Sequence, residues 1–307
     1  MTGWSPADIA DLTGKRALVT GVTGGLGEAT VLQLVRHGCE VVMAARTAAK
    51  LEQTVAHVRR LAPSAEVHPL LVDLADQSSV RRATEQAASY GPLDLLVNNV
   101  DVMATPHLRT VDGFELQLGT NHFGHFALTG LLWPQLVASG DARVVALGSQ
   151  AHRMARAAPL DDPRMPAGRY GRWQSYARSK LANLLFAFEL DRRARAAGVP
   201  VKGMAANPGY ASTQLMGTGR AMGPHTVRGT ILGAAFAVAG QKPDMGCLPI
   251  LMAATADLPG GTYVGPGGFA QMRGLPGVVA PGKLARDPEV ARRLWELSER
   301  ATNVLFP

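Results

Sequence analysis

The sequence predicts an α/β protein, a single domain built on a doubly wound parallel sheet with helices on both faces. Three observations predict it. Short apolar runs recur along the chain, helix-periodic stretches separate them, and the first run ends in a glycine-rich turn. The runs "RALVTG" (16–21), "EVVMAAR" (40–46), "EVHPLLVDL" (66–74), "LDLLVNN" (93–99), "ARVVALGS" (142–149) and "VPVKGMAANPG" (199–209) read as buried strands. Between them, "LGEATVLQLVRHG" and "AAKLEQTVAHVRRLA" place apolar residues at helical spacing. Right-handed crossovers then make neighbouring strands parallel. No internal repeat and no Gly-, Pro- or Ser-rich linker divides the chain, so residues 1–307 read as one domain. The Pro- and Gly-rich patches at 157–172 and 257–282 read as loops.

Composition narrows the function classes. The chain is 47% apolar and 18% charged, the balance of an ordinary globular domain. Cys39 and Cys247 stand far apart in no metal-like spacing, which predicts idle thiols in a reducing, cytoplasmic setting and no metal site. The net charge of +7 is scattered rather than blocked, and aromatics are sparse at 6%, so no stacking platform for nucleic acid is expected. A basic surface suits an anionic small molecule instead. The apolar run "TILGAAFAVAG" (230–240) is too short to span a bilayer, so no integral membrane segment is expected.

The first strand runs into "TGVTGGLGEAT", where Thr20-Gly21, Gly25 and Gly27 form T-G-x-x-x-G-x-G at a strand-to-helix turn. Glycine there permits a tight turn and close backbone approach to a pyrophosphate, and the following helix aims free N–H groups at it. The end of the second strand distinguishes NAD from NADP. An acid there holds a ribose 2′-hydroxyl, but this chain has Ala45, Arg46 and, one turn on, Lys50. A guanidinium grips a 2′-phosphate, so NADP is favoured over NAD. Asp73, in "VDL", suits an adenine amino group, or equally a turn.

In "SYARSKLANLLFAFEL", Tyr176 and Lys180 are four apart and adjacent on one helix face. A phenol titrates near pH 10, and lowering that by about three units needs about 4 kcal/mol. An ammonium about 4 Å away supplies about that much at an effective dielectric of about 20. The spacing therefore makes a proton donor and acceptor at working pH. Ser149 ends the fifth strand in "VVALGSQAH", and Asn121 lies in the apolar helix "GTNHFGHF". A turn or cap would explain the first alone. A satisfied core amide, a held water or a kinked helix turn would explain the second.

Together these residues resemble the short-chain dehydrogenase/reductases, over nearly the whole chain from "GKRALVTGVTGGLG" to "ANPGYASTQL". "TVDGFELQLGTNHFGHFALTGLL" and the stretch around Tyr176 are most similar to the retinol-dehydrogenase-like branch. The resemblance implies a Rossmann-type fold with Tyr176 as acid/base and Lys180 lowering its pKa and holding the nicotinamide ribose. It implies that Ser149 orients the substrate oxygen and Asn121 holds a proton-relaying water. It lays Thr23, Leu26, Leu74, Asn99, Val100 and Asp101 along the cofactor, with Pro208, Gly209 and Thr213 at the carboxamide. The Ser149–Tyr176 gap of 27 positions exceeds the family's usual one, so 150–172 reads as an insertion beside the active site. Residues 213–240, rich in methionine and small side chains, read as a substrate lid.

One departure stands out. The family carries N-N-A-G where this chain has Asn98-Asn99-Val100-Asp101. Aspartate tolerates a positive φ if the backbone needs one. Its charge would oppose the pyrophosphate or favour the oxidised nicotinamide, depending on direction. A tolerated exchange with altered cofactor affinity is the expectation. The leading reading is NADP(H)-dependent hydride transfer with a small apolar carbonyl or alcohol substrate, in a monomer or a homo-oligomer. The alternatives are a non-catalytic sensor, supported by Asp101, and a carbon–carbon double-bond reductase. The last is disfavoured because no cysteine lies between Ser149 and Tyr176.

Overall fold

The computed structural model describes residues 3–164, 170–209 and 241–307. Eight strands form one sheet in the order β3-β2-β1-β4-β5-β6-β7-β8. They are β1 (Arg16–Thr20), β2 (Glu40–Ala45), β3 (Val67–Leu71), β4 (Leu95–Asn98), β5 (Ala142–Leu147), β6 (Val201–Ala206), β7 (Tyr263–Pro266) and β8 (Pro276–Val278). The first seven pair in parallel, and β8 pairs antiparallel to β7.

All six strand runs read from the sequence form strands, each within the bounds of its run. Leu147 rather than Ser149 ends β5, and Val72-Asp73-Leu74 follows β3. The 257–282 patch is the correction. It reads as loop because its prolines and glycines mask short strands, yet it contains β7 and β8.

Side chains alternate strictly between two cores, as a pleated sheet covered on both faces requires. On one face, Ala17, Val19, Val41, Met43, Val97 and Val145 meet α1 (Gly25–Arg36) and α2 (Ala48–Leu61). On the other, Leu18, Val42, Leu96, Val144 and Ala146 meet α3 (Gln77–Ala87) and the long helix Arg172–Ala196. Aromatic packing of Phe126, Phe186, Trp295 and Phe306 secures that second layer.

Chain order reverses between β1 and β4, so the loops leaving their carboxyl ends diverge and open a crevice. Among the described residues no helix is long and apolar enough to cross a membrane.

Candidate active site

The crevice is built first by glycine. Gly21 follows β1 with φ +72°, and a Cβ on Gly27 would lie 2.3 Å from the Gly21 carbonyl oxygen and 2.8 Å from Asn99 Nδ2. Only glycine permits that approach of α1 to the turn. Thr20 Oγ1 accepts the N–H groups of Asn99 (2.9 Å) and Val100 (3.1 Å), while Asn99 Nδ2 donates to the Thr20 carbonyl (2.8 Å). These bonds clamp the end of β4 to the end of β1.

His125 completes the clamp. Burial holds its pKa down to about 4, so the ring is neutral. Its Nδ1 faces the Asn121 carbonyl at 3.0 Å and must donate there, leaving Nε2 to accept from the Thr20 hydroxyl at 3.0 Å.

The resulting cleft is lined by Gly21, Thr23, Gly24, Gly25, Leu26, Gly27, Asn99, Val100, Asp101 and Leu147. A cradle that any Cβ would fill, beside the free N–H groups opening α1, fits a pyrophosphate. Val100 turns its added bulk onto Gly21, whose own Cβ would meet Val100 Cγ2 at 3.1 Å.

The second half of the site hangs from α4 (Leu116–Leu118), a π-helical turn (Gly119–Phe123), α5 (Gly124–Leu131) and α7 (Arg172–Ala196), with α6 (Trp133–Ala138) between. Asn121, fully buried, lies in the π turn, the kink that a polar side chain in this apolar helix suggests. Its amide accepts from Val102 N (2.8 Å) and donates to Val102 O (2.9 Å) and Ser179 Oγ (3.0 Å). Asn121 thus fixes the loop after β4 against α7.

On α7, Tyr176, Ser179, Lys180 and Asn183 form one buried stripe at i, i+3, i+4 and i+7. Lys180 Nζ and Asn183 Nδ2 both donate to the Leu147 carbonyl, at 3.2 and 3.0 Å. Ser149 caps the 3-10 turn Gln150–Met154, accepting Ala151 N at 3.2 Å, so its capping reading holds as geometry.

The structure gives Asp101 a direction that the sequence leaves open. Its φ is negative, so no left-handed backbone demands an aspartate there. Its carboxylate, 4% exposed, turns onto the α7 stripe. Oδ2 accepts the Tyr176 hydroxyl at 2.9 Å, and Oδ1 forms an ion pair with Lys180 Nζ at 3.0 Å. Burial pushes the Asp101 carboxyl up and the Lys180 ammonium down, and each partner opposes the shift of the other. Lys180 therefore meets Tyr176 with a carboxylate beside both.

The short chain dehydrogenase family model matches residues 15–160. Human retinol dehydrogenase 13 is 36% identical over 314 residues, covering 100% of this chain and 90% of that protein. Mouse polyprenol dehydrogenase is 37% identical over 94% of this chain and 84% of its own length. A solved structure of an uncharacterized protein from Mycobacterium Paratuberculosis superposes with a TM-score of 0.82 at 39% identity, over 100% of both chains.

The chain belongs to the short-chain dehydrogenase/reductase family, in its retinol-dehydrogenase-like branch.

Against the residues that this family resemblance singles out, the fold divides them. Gly21, Thr23, Gly25, Leu26, Gly27, Asn99, Val100 and Asp101 share the cleft, and Asp101 joins it to Tyr176 and Lys180. Arg46 and Lys50 are exposed just beyond β2, outside the cleft wall. Asp73 Oδ1 accepts Ala75 N at 2.9 Å, the turn reading, and Leu74 is core, its carbonyl packed under Gly124. Pro208 and Gly209 (φ +71°) follow β6, with Gly209 N donating to Asn207 Oδ1 at 3.1 Å. Thr213 and the 213–240 lid lie outside the described residues, as does part of the 150–172 insertion.

Sequence reading missed Thr20, His125, Ser179, Asn183 and the Leu147 carbonyl as supports. Ser179 and Asn183 were findable, since they share the helical stripe of Tyr176 and Lys180. The Thr20–His125 contact spans 105 positions and has no local signal.

Proposed function

We propose that this chain is an NADP(H)-dependent oxidoreductase acting on the carbonyl or alcohol carbon of a small apolar substrate. The observation that carries the reading is the joining of a glycine cradle to the buried Tyr176–Lys180 stripe through one loop. The names of the relatives, retinol and polyprenol dehydrogenase, point to apolar alcohols as the substrate class. Exposed Arg46 after β2, with Lys50 and without an acid, supports NADP over NAD.

The nicotinamide, when bound, supplies or accepts the hydride. The chain does the rest. Gly21, Gly25 and Gly27 let the α1 N–H groups meet the pyrophosphate, with Thr23, Leu26, Asn99 and Val100 along the cleft. Tyr176 gives a proton to the substrate oxygen in reduction and takes it back in oxidation. Lys180 places positive charge beside it, Ser149 orients the substrate oxygen, and Asn121 holds the loop on which Asp101 stands. Pro208, Gly209 and Thr213 would receive the carboxamide, and 213–240 would serve as the substrate lid.

The test is a fluorescence titration with NADPH and NADH, for the unchanged protein and Arg46→Ala. NADPH should bind at least tenfold more tightly, and R46A should abolish that margin. Equal affinities in the unchanged protein would overturn the NADP assignment, and absence of binding would overturn the enzyme.

A second reading, a cofactor-binding sensor without turnover, rests on the engagement of both Tyr176 and Lys180 by Asp101. Tyr176→Phe separates the two. A sensor keeps its cellular effect, whereas an enzyme loses turnover and its effect together.

A further inference from the structure

We propose that Asp101 is a positioning residue that holds Tyr176 as the neutral phenol and so sets the pH at which alcohol oxidation opens. The proposal rests on the reading of Tyr176 as the acid/base group.

The geometry is direct. The Asp101 carboxylate accepts the Tyr176 hydroxyl through Oδ2 at 2.9 Å and pairs with Lys180 Nζ through Oδ1 at 3.0 Å. A carboxylate in that place stabilises the phenol, whose hydrogen it accepts, and repels the phenolate. It also offsets the ammonium that would otherwise favour the phenolate. With 4% of the Asp101 side chain and none of Lys180 exposed, solvent screens these contacts little.

Among the described residues, the buried titratable groups His125, His152 and Glu115 on the surrounding elements are engaged elsewhere. His125, on α5, is kept neutral between Thr20 and the Asn121 carbonyl. His152, on the turn after β5, is held by the Ser149 carbonyl and Gly282 N. Glu115 caps α4 through Gln117 N and Leu118 N. Among the described residues, Asp101 and Lys180 are the charged groups shown at the phenol. The loop carrying Asp101 is fixed as well, because Asn121 binds both backbone groups of Val102.

The consequence is directional. In reduction, Tyr176 starts as the phenol and passes its proton to the substrate oxygen as the carbonyl carbon gains the hydride. In oxidation it must start as the phenolate, to take the carbinol proton as the hydride leaves carbon. Asp101 extends the phenol to higher pH, so reduction persists there and oxidation begins later.

Tyr176 ionisation is read in the protein without cofactor, from near-ultraviolet tyrosinate absorbance across a pH titration. Tyr176→Phe serves as the blank that isolates this one tyrosine. Asp101→Asn keeps the side-chain volume, and Asp101→Gly gives the residue usual in the family. The Tyr176 midpoint should fall by at least about one pH unit in both variants, a tenfold change in its ionisation constant. In turnover, the alkaline rise of kcat/KM for oxidation should move down by the same amount, with the reductive limb following. An unchanged or higher midpoint in the folded Asp101→Asn protein overturns the proposal. If the midpoint falls but the unchanged protein turns over no apolar alcohol or carbonyl, the hold of Asp101 on Tyr176 stands and the enzyme reading fails alone.

Discussion

Replacing Lys180 with methionine is the sharpest energetic test of the buried pair. Lys180 is wholly buried and Asp101 nearly so, with Nζ and Oδ1 3.0 Å apart. At an effective dielectric of about 20, that separation corresponds to about 5–6 kcal/mol of attraction, most of it offset by the desolvation of both ions. Removing one partner leaves that desolvation uncompensated, and K180M should lose about 3–5 kcal/mol near neutral pH.

The loss must depend on pH in one direction. Burial already pushes the Asp101 carboxyl above its ordinary 3.8, and without the ammonium it rises further. A raised folded-state value means that the folded protein keeps a proton that the unfolded chain releases. Stability is then lost as pH rises above 3.8, at about 1.4 kcal/mol per pH unit until the folded carboxyl also ionises. Urea unfolding of the unchanged protein, K180M, D101N and the double variant, at pH 5.5 and pH 8, measures this. The K180M penalty should be larger at pH 8, and the double variant should lose at least about 2 kcal/mol less than the sum of the singles. Additive losses, or a K180M penalty under about 1 kcal/mol at both pH values, would refute the buried ion pair.

Two further predictions test the scaffold. Burial depresses His122 to about 3 and His125 to about 4, so stability is lost as pH falls through 6.5 toward those values. Each should cost about 2 kcal/mol between pH 7.5 and pH 5, seen in urea unfolding and reduced in His122→Gln, which retains a polar partner for Ser298. Gly27→Ala forces a Cβ to 2.3 Å from the Gly21 carbonyl. It should lower the unfolding free energy by about 1–3 kcal/mol and weaken nucleotide binding at least tenfold, by fluorescence titration. Unaltered binding would separate the turn from the cofactor.

The sequence by itself determined the architecture and the chemistry-bearing residue types. Strand and helix periods are local, so apolar spacing placed β1 to β6, and "TGVTGGLG" marked the turn because backbone approach leaves glycine no substitute. Tyr176 and Lys180 were legible because four positions on a helix bring side chains together whatever lies around them. β7 and β8 were not, being short, Pro- and Gly-bearing segments at one end of the sheet, recognisable only by their partners.

Only the tertiary structure decided the direction of Asp101. Its side chain leaves a loop with no periodicity, and its partner Tyr176 is 75 positions away on a helix packed across the opposite face of the sheet from α1. The π turn at Asn121 brings that loop and α7 together by binding Val102 and Ser179 at once. A side chain's direction is a property of what surrounds it, and here three distant segments supply the surroundings.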